Sequence, residues 1–220
     1  MKNKLKYEKK LFLTDPFYGF FRICAAYPTK KDKNFLGLEI SFIKKLRIIY
    51  VTYERLEKNL EKLKKTEFND NNIKHAKLTV VIAGDIETFI LQTRAFLDIS
   101  AKLLRYFYKE HIRKFRYLTE AIEWFKKHPL VDEEFYEYLK NNMSWFDEFN
   151  KKRGDISHSF SLDVFWNENN KKERFGFAIY SLKEIGTEDL GNFLDKMIDG
   201  LNNYLKFYVE HFEKKMIRKK

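Results

Sequence analysis

The chain has 220 residues, of which 44% are hydrophobic, with 22 Phe, 13 Tyr and 3 Trp, so it can bury a substantial core and is not intrinsically disordered. Eight Gly and three Pro supply too few turn signals for a many-stranded sandwich, and 34% charged residues with a mean hydropathy of −0.55 point to a soluble protein. The single cysteine, Cys24, allows no internal disulfide and fits a reducing cytoplasm. The purest apolar run, Leu78 to Gly84, is far too short to span a bilayer, so no membrane association is expected.

The net charge of +11 is concentrated at the ends, with +6 on residues 1–35 and +4 on residues 201–220, and the body between them is nearly neutral. Basic ends of this kind suit a polyanion such as RNA or an anionic membrane surface, between which charge alone does not choose. Charge alone favours the plainer reading of solubilising tails.

In chain order, residues 1–36 read as a basic, irregular N-terminal arm. Asp15-Pro16, Gly19 and Tyr27-Pro28 interrupt any long period there, and the first ten residues lack the apolar core of a signal peptide. Residues 37–220 read as one helical-bundle domain. From Leu38 to Lys65, apolar residues recur at helical spacing with lysines and glutamates opposite. Phe68-Asn-Asp-Asn-Asn72 is a break rich in turn formers.

A second stripe runs from Leu78 through Ile82, Ile86, Phe89 and Ile90 to Phe107. Lys77–Ala83 has the propensity of a strand, but the stripe continues in phase across Gly84, and this favours helix. Another helix is expected from Thr119 to Lys127, stopping before Pro129. The next opens at Asp132 or Val131 and carries Phe135, Tyr138, Leu139, Trp145, Phe146 and Phe149 at helical spacing.

The period then changes to two. Phe160, Leu162, Val164 and Trp166, followed by Phe175, Phe177 and Ile179, predict a β-hairpin near 160–180. A last helix is expected from Thr187, as N-cap, to about Met216. The predicted class is mainly α, an up-and-down bundle with one inserted hairpin.

Several chemistries are absent from the sequence: there is no Gly-rich phosphate loop, no His-Glu-x-x-His and no Cys-x-x-Cys. The five histidines are scattered, and no metal site is expected from them.

One segment carries chemistry: Asn150-Lys-Lys-Arg153-Gly-Asp155-Ile-Ser-His158-Ser-Phe160. Arginine presents a planar fork of donors suited to phosphate. Histidine transfers protons near neutral pH. A base that takes the ribose 2′-hydroxyl proton and a cation facing the phosphorus oxygens are the minimum for cutting RNA without a metal. Arg153 and His158 are five residues apart, roughly 140° around a helix, so two copies in a symmetric dimer converge on one phosphate better than one copy does. The competing reading is a helix-end Arg and His that pair with carboxylates and have no catalytic role.

At these residues the sequence resembles the HEPN superfamily, helical bundles whose ribonuclease members carry R-x-x-x-x-H, the spacing of Arg153-Gly-Asp-Ile-Ser-His158. The segment Asp85–Leu104 is similar to the first core helix of those bundles, and the likeness covers about residues 74–215.

The resemblance implies a homodimer with Arg153 and His158 of both copies lining one cleft. It also implies an endoribonuclease of toxin or phage-defence type that needs no cofactor. In that role His158 acts as general acid/base, Arg153 binds the scissile phosphate, Asp155 orients one of them, and Lys151, Lys152 and the terminal lysines steer RNA. An antitoxin or defence-system protein is the implied partner. The sequence departs from the family at Gly154, where active members often carry Asn, Asp or His, and at Phe160, where antitoxin-paired members often carry Tyr. The alternative is a non-catalytic HEPN-like module for dimerisation or partner binding.

Overall fold

In the computed structural model, the described residues are 32–65, 73–108, 112–158, 161–167, 174–180 and 185–217. Within these, the side chains at 73–74, 155–158, 161, 165–167, 174–176, 179–180, 185–188 and 216–217 lie outside the description. The arm through residue 31 with Cys24, the break at 68–72, and Phe160 lie outside the described residues as well.

The chain is mainly helical, as expected. The helices are α1 (Lys33–Lys64), α2 (Ile73–Tyr108), α3 (Leu118–Lys127), α4 (Glu133–Asn142), α5 (Ser144–His158) and α6 (Leu190–Ile217), with a 3-10 turn at Pro129–Val131 between α3 and α4. Three antiparallel strands stand between α5 and α6: β1 (Ser161–Asn167), β2 (Arg174–Tyr180) and β3 (Ile185–Asp189), in the order β1-β2-β3. Val164 pairs with Phe177, and Ala178 pairs with Thr187.

Four details differ from the sequence expectation, each for a local physical reason. Helix α1 begins at Lys33, inside the segment read as an irregular arm, because Asp32 Oδ1 accepts from the backbone N–H of Asn34 (2.9 Å) and Phe35 (3.2 Å). Such a cap stabilises a helix start by about 1 kcal/mol. Thr187 lies in β3, and the cap of α6 is Asp189, whose Oδ1 accepts from Asn192 N at 2.8 Å. The expected hairpin is present, but with a third strand.

The run expected as one helix from 132 is two helices, interrupted at Met143, where φ is −107° and ψ is 14°. Trp145 then stands so close to Gly200 that a Cβ built there meets the indole at 2.5 Å, and only glycine admits this approach. Of the two residues at which this helix was expected to open, Asp132 is the N-cap and accepts from Phe135 N at 3.0 Å.

Lys77–Ala83 is helical, because burial follows the helical period. Ile82, Asp85, Ile86, Phe89 and Ile90 are buried, while Val80 is 72% exposed. Burying side chains such as Ile82 and Ile86 contributes roughly 1.5–3 kcal/mol each, more than the ~1 kcal/mol span of strand propensity.

The chain forms two compact units, each assembled from separated stretches. Unit 1 comprises residues 1–46, 95–145 and 199–220. Its core is aromatic: Phe42 packs on Phe96 (centroids 4.5 Å apart), Phe107 stacks on Phe212 (4.4 Å), and Tyr108 meets Phe212 edge-on (5.6 Å). Tyr204 and Tyr208 are fully buried, and their hydroxyls find partners on Ser100, one at Oγ (2.7 Å) and one at the carbonyl (2.8 Å).

Unit 2 comprises residues 47–94 and 146–198. There Tyr53 meets Phe89 (6.2 Å), and Arg55 holds the buried Asp85. Phe177 of β2 packs on Phe193 of α6 at 5.1 Å, which seats the sheet.

Candidate functional site

Helix α5 carries the Arg–His segment, and unit 2 fixes its rotation. Phe146 and Phe149 are fully buried on one face. Arg94 of α2 donates to Asn150 Oδ1 at 2.6 Å, and its guanidinium lies 5.3 Å from the Phe146 ring. Glu148 pairs with Lys196 of α6. In the next turn Lys151 and Arg153 are exposed, Arg153 although it stands in phase with Phe149 and Phe146, one and two turns earlier. Lys152 is half-buried, its ammonium 5.7 Å from the Phe177 ring, so part of its charge is spent on the sheet.

Helix α5 stays α-helical through His158, so positions 153 and 158 are separated by roughly 140° around one axis. The side chains of Asp155 and His158 lie outside the description. Gly154 is half-buried, and a Cβ there meets nothing within 4 Å, so nothing steric demands glycine at this place.

A second polar cluster, in unit 1, was not anticipated from the sequence. Asp132 is buried, and four donors reach its carboxylate. Oδ1 accepts from Phe135 N. Oδ2 accepts from Tyr108 Oη (2.5 Å), from His211 Nε2 (2.7 Å) and from the Lys215 ammonium. Nδ1 of His211 lies 3.3 Å from Glu134 Oε2, within ion-pair distance. Burial pushes the Asp132 carboxyl up, but the hydrogen bonds from His211, Lys215, Tyr108 and the Phe135 N–H outweigh it and hold the group well below the usual carboxylate range. Burial, reinforced by the Asp132 charge, pushes the Tyr108 phenol far up.

The His–carboxylate pair has the parts of a general base, but His211 is only 3% exposed and stacks between Phe135 (5.7 Å) and Phe207 (5.3 Å). A substrate cannot reach it, so the cluster is a structural clasp. Lys215, counted among the terminal lysines for RNA, is held on Asp132, with its ammonium 4.3 Å from the Tyr108 ring. In the sequence the only sign of this cluster was Asp132 at the expected opening of a helix. His211 lies 79 residues further on, and no local pattern links the two.

Among the described residues, no group of three or more His, Cys, Asp or Glu is placed to hold a metal ion, and no helix is long and apolar enough to cross a membrane. No known protein family, characterised protein or solved structure matches this chain at a significant level.

Proposed function

We propose that this chain is a metal-independent endoribonuclease of toxin or anti-phage defence type, acting inside the cell as a homodimer. The observation that carries the reading is the R-x-x-x-x-H pattern on the last two turns of α5, with Arg153 exposed and the helix locked behind it.

His158 removes the proton from the ribose 2′-hydroxyl. The 2′-oxygen attacks the adjacent phosphorus, the bond to the 5′-oxygen breaks, and a proton is returned to that leaving oxygen. Arg153 faces the charge that builds on the non-bridging oxygens, Asp155 orients one of the pair, and Lys151 and Lys152 guide the RNA backbone. The 140° separation on one helix is the reason for two copies: Arg153 of one protomer works with His158 of the other.

A second reading, a non-catalytic module for dimerisation or partner binding, is favoured by Gly154, which stands where active HEPN members often carry a polar side chain. One experiment separates the two. Purified protein is incubated without divalent metal with tRNA and single-stranded RNA, beside His158→Ala and Gly154→Asn. The nuclease reading expects products with 2′,3′-cyclic phosphate ends, lost in His158→Ala. It also expects faster cleavage by Gly154→Asn, since a side chain at 154 meets open space. No cleavage by a confirmed dimer, or equal cleavage by His158→Ala, selects the interaction module.

A further inference from the structure

A cavity of about 390 Å³ in unit 2 is lined by Thr79, Val80, Ala83, Gly84 and Glu87 of α2 and by Leu162, Asp163 and Val164 of β1. β1 gives the lining three consecutive residues, of which Leu162 and Val164 are buried and Asp163 is exposed. β2 takes one edge of β1, and among the described residues no strand pairs with its second edge. An unpaired edge offers a row of N–H and C=O groups to an incoming strand. The α2 wall from Thr79 to Glu87 is about 12 Å long, the length of three or four residues of extended chain.

The chemistry of the walls is specific. Val80, Ala83 and Gly84 make an uncharged floor, and the charged side chains on the lining are both carboxylates, Glu87 and Asp163. Neither has an ion-pair partner among the described residues, although the whole chain carries +11.

We infer that this groove docks an extended, basic segment of a partner protein as an added strand on β1. Main-chain hydrogen bonds to the edge supply the affinity. Lysine or arginine side chains reaching Glu87 and Asp163, with small apolar residues against Val80 and Ala83, supply the selection. The inference does not depend on the nuclease reading.

The test measures fluorescence polarisation of a labelled Lys-Val-Lys-Val-Lys-Val peptide with the full chain. Saturable binding is expected, weakened about tenfold or more when alternate peptide amides are N-methylated or when glutamate replaces lysine. Glu87→Lys with Asp163→Lys is expected to reverse the preference toward the Glu-Val peptide. Gly84→Trp fills the cavity without a clash at Cβ and is expected to abolish binding, with its helical circular dichroism unchanged. No saturable binding by the wild type, equal binding of the N-methylated peptide, or binding unchanged in both variants overturns the proposal. Self-association of the wild type in sedimentation, removed by Gly84→Trp, also overturns it, because the occupant is then a second copy.

Discussion

Two buried aspartates, one in each unit, are satisfied in opposite ways. Asp132 in unit 1 is met by four donors from α2, α4 and α6, three of them on buried residues. Asp85 in unit 2 is met mainly by Arg55, whose Nε donates at 2.9 Å and whose side chain is 54% exposed, with a long contact from Asn59 at 3.5 Å. The first is a closed clasp that holds three helices by one carboxylate. The second is an anchor with one side in water. The two units thus differ in how a buried carboxylate is satisfied: in unit 1 by groups packed around it, in unit 2 by a cation that reaches in from the surface.

The largest effect expected from this contrast is at the clasp. Asp132→Ala removes the N-cap of α4 and leaves His211 and Lys215 facing a buried void, so urea unfolding is expected to show a loss of about 3–5 kcal/mol. A loss below about 1 kcal/mol erases the distinction between the two units.

The same group sets a pH signature. The carboxyl of Asp132 is lower in the folded chain than its ordinary 3.8, so its stabilising contribution is full above that value. That contribution declines as pH falls through and below 3.8. The stability gap between the wild type and Asp132→Asn is expected to narrow from pH 5 to pH 2 in denaturant titrations. A gap that stays constant over that range removes the carboxylate from the account.

Arg55→Ala is expected to cost less, about 1–2 kcal/mol, because the guanidinium is half in solvent and water can enter to solvate Asp85. A loss equal to that of Asp132→Ala makes the anchor as closed as the clasp. The smallest effect has the opposite sign. Gly84 is exposed in the interior of α2 and a Cβ there meets nothing, so Gly84→Ala is expected to stabilise by about 0.5–1 kcal/mol in thermal unfolding. Destabilisation at this position means that the groove beside β1 is narrower than its geometry states.

Periodicity made most of the helices legible, since a stripe such as Ile82, Ile86, Phe89, Ile90 has no other way to reach a core. Starts were less legible. Asp32 and Asp189 act as caps, yet Thr187, a good capping residue by type, was used in a strand because β3 extends the sheet by one more pairing. Capping preference is worth about 1 kcal/mol, and a ladder of several strand hydrogen bonds overrides it. The break at Met143 was invisible, because Trp145, Phe146 and Phe149 stay in phase with Phe135 and Leu139 on either side of it. Directly after the break Trp145 packs against Gly200, 55 positions away, a contact that no local pattern announces.

For the candidate site, residue type and spacing marked Arg153, Asp155 and His158, but Arg153 falls in phase with the buried Phe146 and Phe149, at i+7 and i+4, so its exposure was not legible in the sequence. The Arg94–Asn150 hydrogen bond that locks this helix was beyond the sequence, as its partners are 56 residues apart.

The sequence by itself determined the mainly helical class, the switch to strands after residue 160, and the amino-acid types at the Arg–His segment, because each is written in contacts between near neighbours. Tertiary structure alone decided which carboxylate is buried with which cation, that Lys215 closes on Tyr108 and Asp132, and that β1 leaves an acidic groove beside α2. Those outcomes rest on desolvation and pairing between groups far apart in the chain, and neither quantity exists until the core has closed around them.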